Sequence, residues 1–118
     1  MAFEKKSNGV TNEWIATVKG AGAMNETLTP NGAWELKEVR LHLSAAGGTS
    51  ENFSIIENAG EGSAYNVVHL ATDMETASDV VQSFYHEEKH FSQNDSVNFT
   101  YTNTGSRTWG LKVIYRLI

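Results

Sequence analysis

The chain has 118 residues, a formal charge of −5 and no cysteine. A chain of this length forms one domain that buries a core without disulfides, and the missing cysteines exclude disulfides, thiolate metal sites and a thiol nucleophile. The nine Lys and Arg residues are scattered, whereas nucleic-acid binding needs a clustered positive face. With no secretory signal and no apolar run near the ~20 residues of a membrane span, we expect neither nucleic acid nor membrane as a partner.

The first third of the chain predicts an arm followed by one strand. Residues 1–12 show no clear period and are predicted to form a flexible N-terminal arm, ahead of a single domain over 13–118. The stretch NEWIATV favours a strand in which Trp14 and Ile15 face opposite ways. That strand is therefore either buried on both sides or docked onto a partner. The stretch KGAGAMNETLTPNG after it is predicted to be flexible.

A second strand group follows in the middle of the chain. In WELKEVRLHLS, Trp34 and Leu36 alternate, and the phase then slips by one residue to Val39, Leu41 and Leu43. Such a slip indicates a bulge, or a bend where a strand passes between sheets. NFSIIE and AYNVVHLA are predicted as short strands between small-residue turns.

Residues 79–91 fit two periods. Val80, Phe84 and Phe91 share one side of a helix, whereas Val80, Gln82 and Phe84 alternate as in a strand. The turn SQND and the strands on both sides favour a strand.

The same segment contains His86-Glu87-Glu88-Lys89-His90, which matches the H-E-x-x-H pattern of zinc hydrolases. A catalytic zinc needs a third protein ligand. Gln93 and Ser96 stand where the extended zinc motif has Gly and His, and no Glu or His follows His90. We therefore predict no metal site, no cofactor and no catalytic residue, and we do not expect an enzyme.

Two regularly alternating runs close the chain. They are separated by the loop NTGSR, and this spacing predicts a β-hairpin with one buried face. Together with the middle strand they supply the predicted core: Trp34, Leu36, Leu41, Leu43, Val97, Phe99, Tyr101, Trp109, Leu111, Val113, Tyr115 and Leu117.

The opposite face of the last strand predicts a contact patch. Ile114, Arg116 and Ile118 point outward, and with Phe3 and Trp14 they form the candidate interface. The alternative is that the N-terminal arm, through Phe3, covers the two isoleucines within the same chain.

About seven to eight strands, with turn signals every ten to fifteen residues, predict an all-β sandwich. The order of WELKEVRLHL, NFSIIENAGEGSAYNVVHLATDM and FSQNDSVNFTYTNTGSRTWGLKVIYRL resembles small jelly-roll proteins that decorate or cement the capsids of tailed bacteriophages. Residues 1–33 take no part in this resemblance. It implies a jelly-roll-like antiparallel β-sandwich.

The resemblance also implies a role. It implies a non-enzymatic virion protein, homodimeric or homotrimeric, that binds the major capsid protein and bridges neighbouring capsid subunits. Such a protein lies on the capsid surface and assembles in the bacterial host cytoplasm. The alternatives are a carbohydrate- or receptor-binding β-sandwich module, which needs exposed Trp or Tyr rings, and a tail or neck component of a virion.

Overall fold

The computed structural model describes residues 3–9, 11–85 and 89–118. Within these ranges the chain forms ten strands and one short 3-10 helix, Ser63–Tyr65. The strands are β1 (Glu4–Ser7), β2 (Glu13–Gly20), β3 (Met24–Leu28), β4 (Trp34–Leu43), β5 (Asn52–Asn58), β6 (Val67–Asp73), β7 (Asp79–Ser83), β8 (Lys89–Phe91), β9 (Ser96–Tyr101) and β10 (Trp109–Leu117). A search of the described residues finds no helix that is long and apolar enough to cross a membrane.

The strands form two antiparallel sheets. Sheet A has the order β1-β2-β10-β4-β7, and β8 also pairs with β4. Sheet B has the order β3-β9-β5-β6. Setting β1 and β8 aside, the pairing is nested: β2 pairs with β10, β3 with β9, β4 with β7 and β5 with β6. Nested pairing across two sheets is the jelly-roll arrangement, which confirms the predicted all-β sandwich in a single domain.

The predicted hairpin of the last two runs is wrong. β9 lies in sheet B between β3 and β5, while β10 lies in sheet A between β2 and β4. Alternation of apolar and polar residues shows that each strand buries one face. The same alternation arises whether two strands pair side by side in one sheet or face each other across the core, so it cannot predict which strands pair. Residues 102–108 carry the chain between the sheets, and Asn103 and Ser106 in this loop have φ of 58° and 54°.

The phase slip in β4 is a bulge, as predicted. Glu38 lies opposite Ile114 and Leu36 lies opposite Tyr115, so Lys37 is the extra residue. The bulge lets both Leu36 and Val39 face the core, where both are fully buried.

One core lies between the two sheets. Of the twelve residues proposed for it, Leu117 is half-buried and the other eleven are at most 5% exposed. Trp34 stacks on Phe91 with ring centroids 4.5 Å apart and meets Tyr115 edge-on at 6.0 Å. This aromatic cluster packs β8 against β4 and β10.

The structure differs from the sequence prediction at the N-terminus. Glu4–Ser7 form β1, which pairs with β2 from Thr17 to Trp14, where a flexible arm was expected. The Phe3 ring packs edge-on against Phe99 in the core, with the ring centroids 5.9 Å apart. These four residues are mostly charged and show no alternation that would predict a strand. They are extended because they pair with β2.

The ambiguous segment forms strands where it is described. β7 covers residues 79–83 and β8 covers 89–91. His86, Glu87 and Glu88, and with them the first part of the HEEKH motif, lie outside the described residues.

Candidate protein-contact surfaces

The five residues of the candidate interface do not form one surface. Ile114 is 7% exposed, so its predicted exposure is wrong. It does point away from the core, but its cross-strand partner on β2 is Ile15, 8% exposed, and the row continues to Lys6 and Glu38. The two isoleucines shield each other, and the stems of long charged side chains beside them cover apolar surface.

The other four residues are divided between the surface and the core. Arg116 is exposed on the outer face of sheet A, and Ile118, just after β10, is 67% exposed. Phe3 and Trp14 are half-buried and pack against the core. The predicted patch therefore reduces to Arg116 and Ile118.

The outer face of sheet A is densely charged. Lys37 donates to Glu35 at 2.7 Å and Arg40 donates to Glu38 at 2.5 Å. The hydrogen bond from Lys37 lowers the pKa of Glu35, and the charges of Lys37, His90 and Arg116 act in the same direction. We call this surface the charged face; its Asp, Glu, Lys and Arg residues are Glu4, Lys6, Glu13, Lys19, Glu35, Lys37, Glu38, Arg40, Asp79, Lys112 and Arg116.

The outer face of sheet B carries no ionisable side chain within its strands except Asp73 at one corner. Its outward residues alternate with the buried ones and are Asn, Ser, Thr or aliphatic. We call this surface the uncharged face; its residues are Asn25, Thr27, Asn52, Ser54, Ile56, Asn58, Val68, Ala71, Ser96, Asn98 and Thr100. The two carboxylates of β3 and β5, Glu26 and Glu57, lie on the inward side of their strands.

Hydrogen bonds order part of the uncharged face. Asn98 Nδ2 lies 2.9 Å from Asn25 Oδ1 and 3.0 Å from Thr27 Oγ1, so three side chains from β9 and β3 are fixed relative to one another. Beside them, Ile56 is half-buried and its cross-strand partner Val68 is 58% exposed. The centres of protein interfaces are depleted of charged residues. The uncharged face therefore has the composition of a contact surface, and the charged face has that of a solvated one.

Other polar side chains form hydrogen bonds in the loops and near the strand ends. Asp95 accepts from the backbone N–H groups of Gly60 and Ser92 at 2.8 Å each, which ties two loops together beside a shallow cleft of about 280 Å³. His69 lies 2.9 Å from Glu57 and edge-on to Phe91. In the parts of the chain that the structure describes, no three His, Asp or Glu side chains are grouped to hold a metal ion.

The aromatic residues bear on the carbohydrate alternative. A sugar platform needs an exposed Trp or Tyr ring. Trp34 and Trp109 are buried and Trp14 is half-buried, whereas Tyr65 and Tyr85 are 62% and 45% exposed on separate elements. Trp109 Nε1 donates to the carbonyl of Gly22 at 2.9 Å, as expected of a ring held in the framework.

The chain matches no protein-family model and no curated protein. Among solved structures it is similar to a chain of the acidic stable capsid structure of Helicobacter pylori bacteriophage KHP30. The two share 17% sequence identity and a TM-score of 0.54, over 98% of this chain and 93% of that chain. A chain of the tomato aspermy virus structure is more distant, with 5% identity and a TM-score of 0.37 over 99% of this chain and 84% of that one. At these identities the similarity concerns the fold, which this chain shares with a chain of a viral capsid structure.

Proposed function

We propose that this protein is a structural virion component that decorates or cements a phage capsid by bridging neighbouring capsid subunits. The observation that carries the proposal is the separation of charge between the two faces. In the proposed arrangement the uncharged face contacts the capsid and the charged face is exposed to solvent. The jelly roll that the chain shares with the KHP30 capsid chain, over nearly its whole length, supports the same role. The partners are the major capsid protein and further copies of this chain.

Binding of this kind stabilises a shell by mass action. A protein that binds the assembled lattice but not free subunits adds its binding free energy to the stability of the lattice. Contacts that are weak singly become strong together, because the second contact forms at a high effective concentration. Bridging therefore requires no deep pocket and no chemistry.

A matched pair of substitutions tests the contact face. Thr100→Lys adds a cation to the centre of the uncharged face, next to Asn25 and Ser54. Thr17→Lys adds the same side chain to the charged face, next to Lys112 and Glu4. Both threonines are half-buried on strands, so the two variants differ in the face and not in the type of change.

The readout is the copy number of each variant in purified virions, measured by quantitative mass spectrometry. We expect Thr100→Lys to reduce occupancy at least about tenfold, because burying an unpaired charge costs more than the ~1.4 kcal/mol that corresponds to one factor of ten. We expect Thr17→Lys to bind as the wild type does. Equal occupancy of both variants contradicts the assigned face. A wild-type copy number of a few per virion contradicts decoration and indicates a tail or neck component.

A further inference from the structure

The sandwich has four sheet edges in the described residues, and they are not alike. In sheet A, β1 forms one edge, and β7 and the three-residue β8 lie one after the other along the opposite edge, both paired with β4. In sheet B the outer strands are β3 and β6. Residues 21–23 join β2 to β3 and residues 74–78 join β6 to β7, so β1 and β3 lie on one side of the sandwich and β6 and β7 on the other. An edge strand presents unpaired backbone N–H and C=O groups that can pair with another chain.

The side formed by β1 and β3 is protected by charge. Three of the four β1 residues are Glu4, Lys5 and Lys6. Antiparallel pairing with a second β1 about either central residue places Lys5 opposite Lys5 or Lys6 opposite Lys6. On β3, Glu26 points inward at the middle of the strand, opposite Phe99, and pairing with a second β3 about its centre places Glu26 opposite Glu26. Like charges directly opposite destabilise a strand pair, and an inward charge is a known device against edge pairing.

The β6 edge is protected by its shape. Val67 and Val68 are exposed there, but the register with β5 shifts between Ile55 and Ile56. Leu70 lies opposite Ile55 and Val68 opposite Ile56, so His69 is the extra residue of a bulge. A bulge increases the local twist and turns an edge away from a flat partner.

The β7 edge has neither form of protection. Its five residues keep an unbroken register with β4, from Asp79 opposite His42 to Ser83 opposite Glu38. Val81 at its centre is 66% exposed. Its one charged residue, Asp79, already pairs with His42. An antiparallel two-fold through Val81 sets Val81 against Val81 and Asp79 against Ser83, so no like charges meet.

We propose that β7 pairs antiparallel with β7 of a second copy of this chain about Val81, so that sheet A continues across a two-fold axis. Of the four edges, β7 is the one whose backbone is regular and whose residues are self-complementary, as a two-fold interface requires. This inference rests on the homo-oligomer of the proposed function and gives it a defined interface. Strands related in this way share one sheet, so the uncharged faces of both copies point in the same direction. Two such faces side by side are what a bridge between neighbouring capsid subunits needs.

Cysteine substitution tests the pairing directly, because the chain has no cysteine of its own. Opposed residues of an antiparallel pair have Cα atoms about 4.5–5.5 Å apart, which lies within the range of about 4.4–6.8 Å that a disulfide spans. We expect Val81→Cys to oxidise to a covalent dimer on a non-reducing gel. Thr27→Cys, exposed on the β3 edge of the opposite side, is the matched control and should stay monomeric on that gel.

A charge at the same position gives a second readout. We expect the wild type to sediment as a dimer and Val81→Lys, at the same concentration, as a folded monomer, because the two-fold brings the two lysines together. A wild type that stays monomeric at the highest soluble concentration overturns the inference, as does a dimeric Val81→Lys or equal cross-linking of the two cysteine variants. These results do not depend on the Thr100→Lys experiment, because loss of that variant from virions reports on the capsid contact alone. Failure of the dimer proposal can therefore be distinguished from failure of the proposed function.

Discussion

Asn103 anchors the loop that carries the chain from sheet B to sheet A, and Asn103→Ala is expected to be strongly destabilising. It is 5% exposed and has a left-handed backbone with φ of 58°. Its Nδ2 donates to the carbonyls of Ala21, Gly22 and Arg107 at 3.2, 3.0 and 2.9 Å, and its Oδ1 accepts from the Arg107 N–H at 2.9 Å. One side chain therefore ties the β9–β10 loop to itself and to the β2–β3 connection.

The expected loss combines two effects. Alanine in the left-handed region costs about 1 kcal/mol more than asparagine, which adopts it readily. The side-chain hydrogen bonds contribute about 1 kcal/mol net each. Loss of the two bonds with Arg107 and of one tie to the β2–β3 connection therefore gives about 3 kcal/mol. The total of about 4 kcal/mol corresponds to a fall in Tm of roughly 16 °C for a domain of this size.

Urea and thermal unfolding followed by tryptophan fluorescence measure this loss, since Trp109 lies beside the same connection through Gly22. Asn103→Gly separates the two effects, because glycine accepts the left-handed backbone but makes no side-chain bond. We expect Asn103→Gly to lose about 1 kcal/mol less than Asn103→Ala. A loss below about 1 kcal/mol for Asn103→Ala, or equal losses for the two variants, would refute the reasoning.

Three further predictions follow from burial, charge and close packing. Ile114→Asp should destabilise the fold by about 2–3 kcal/mol in urea unfolding, because it buries a carboxylate, whereas the exposed Ile118→Asp should stay within about 0.5 kcal/mol; equal effects contradict the corrected placement. The depressed pKa of Glu35 gives stability that is present above about pH 4 and is lost as the pH falls through the folded-state value. Lys37→Met should therefore lose less stability than the wild type between pH 5.5 and pH 3, and an equal loss contradicts the assigned cause. Gly47→Ala should unfold at a temperature several degrees lower, because its Cβ would lie 2.6 Å from a backbone carbonyl and 2.5 Å from a buried tyrosine hydroxyl; an unchanged Tm contradicts this contact.

The period of two along the strands predicts which residues are buried but not which strand lies beside which. Phe99 and Leu111 are buried as their alternation predicts, yet their strands face each other across the core and do not pair. The pairing depends on the turn geometry of residues 102–108, where two non-glycine residues adopt positive φ. Asn tolerates that conformation, but its presence in a loop is also typical of an ordinary hairpin turn.

Exposure on the outer faces depends on neighbours that lie far apart in sequence. Alternation predicts that Ile114 points outward, and it does, but Ile15 and the charged rows on either side of the pair leave it buried. The uncharged face was missed for the same reason. Its residues come from four strands, and their outward positions hold ordinary Asn, Ser and Thr when each strand is taken alone. The shared signal is that the outward positions of β3, β5, β6 and β9 carry no charged residue except Asp73, and it becomes visible only when the strand register is known.

The two proposed surfaces contribute unequally to capsid binding, and the order of their effects follows from geometry. In the proposed complex the uncharged face makes the capsid contact itself, so a charge at Thr100 weakens each copy's binding directly. The β7 edge only joins two such faces, and joining two modules raises overall affinity by a factor on the order of 10² to 10⁴ through effective concentration. Val81→Lys should therefore lower capsid occupancy when the protein is dilute and leave it almost intact when the protein is in large excess, whereas Thr100→Lys lowers occupancy at both concentrations. Binding titrations of the two variants on the same capsids measure this difference, and a Val81→Lys defect that excess protein does not restore would place β7 in the capsid contact and not in the dimer.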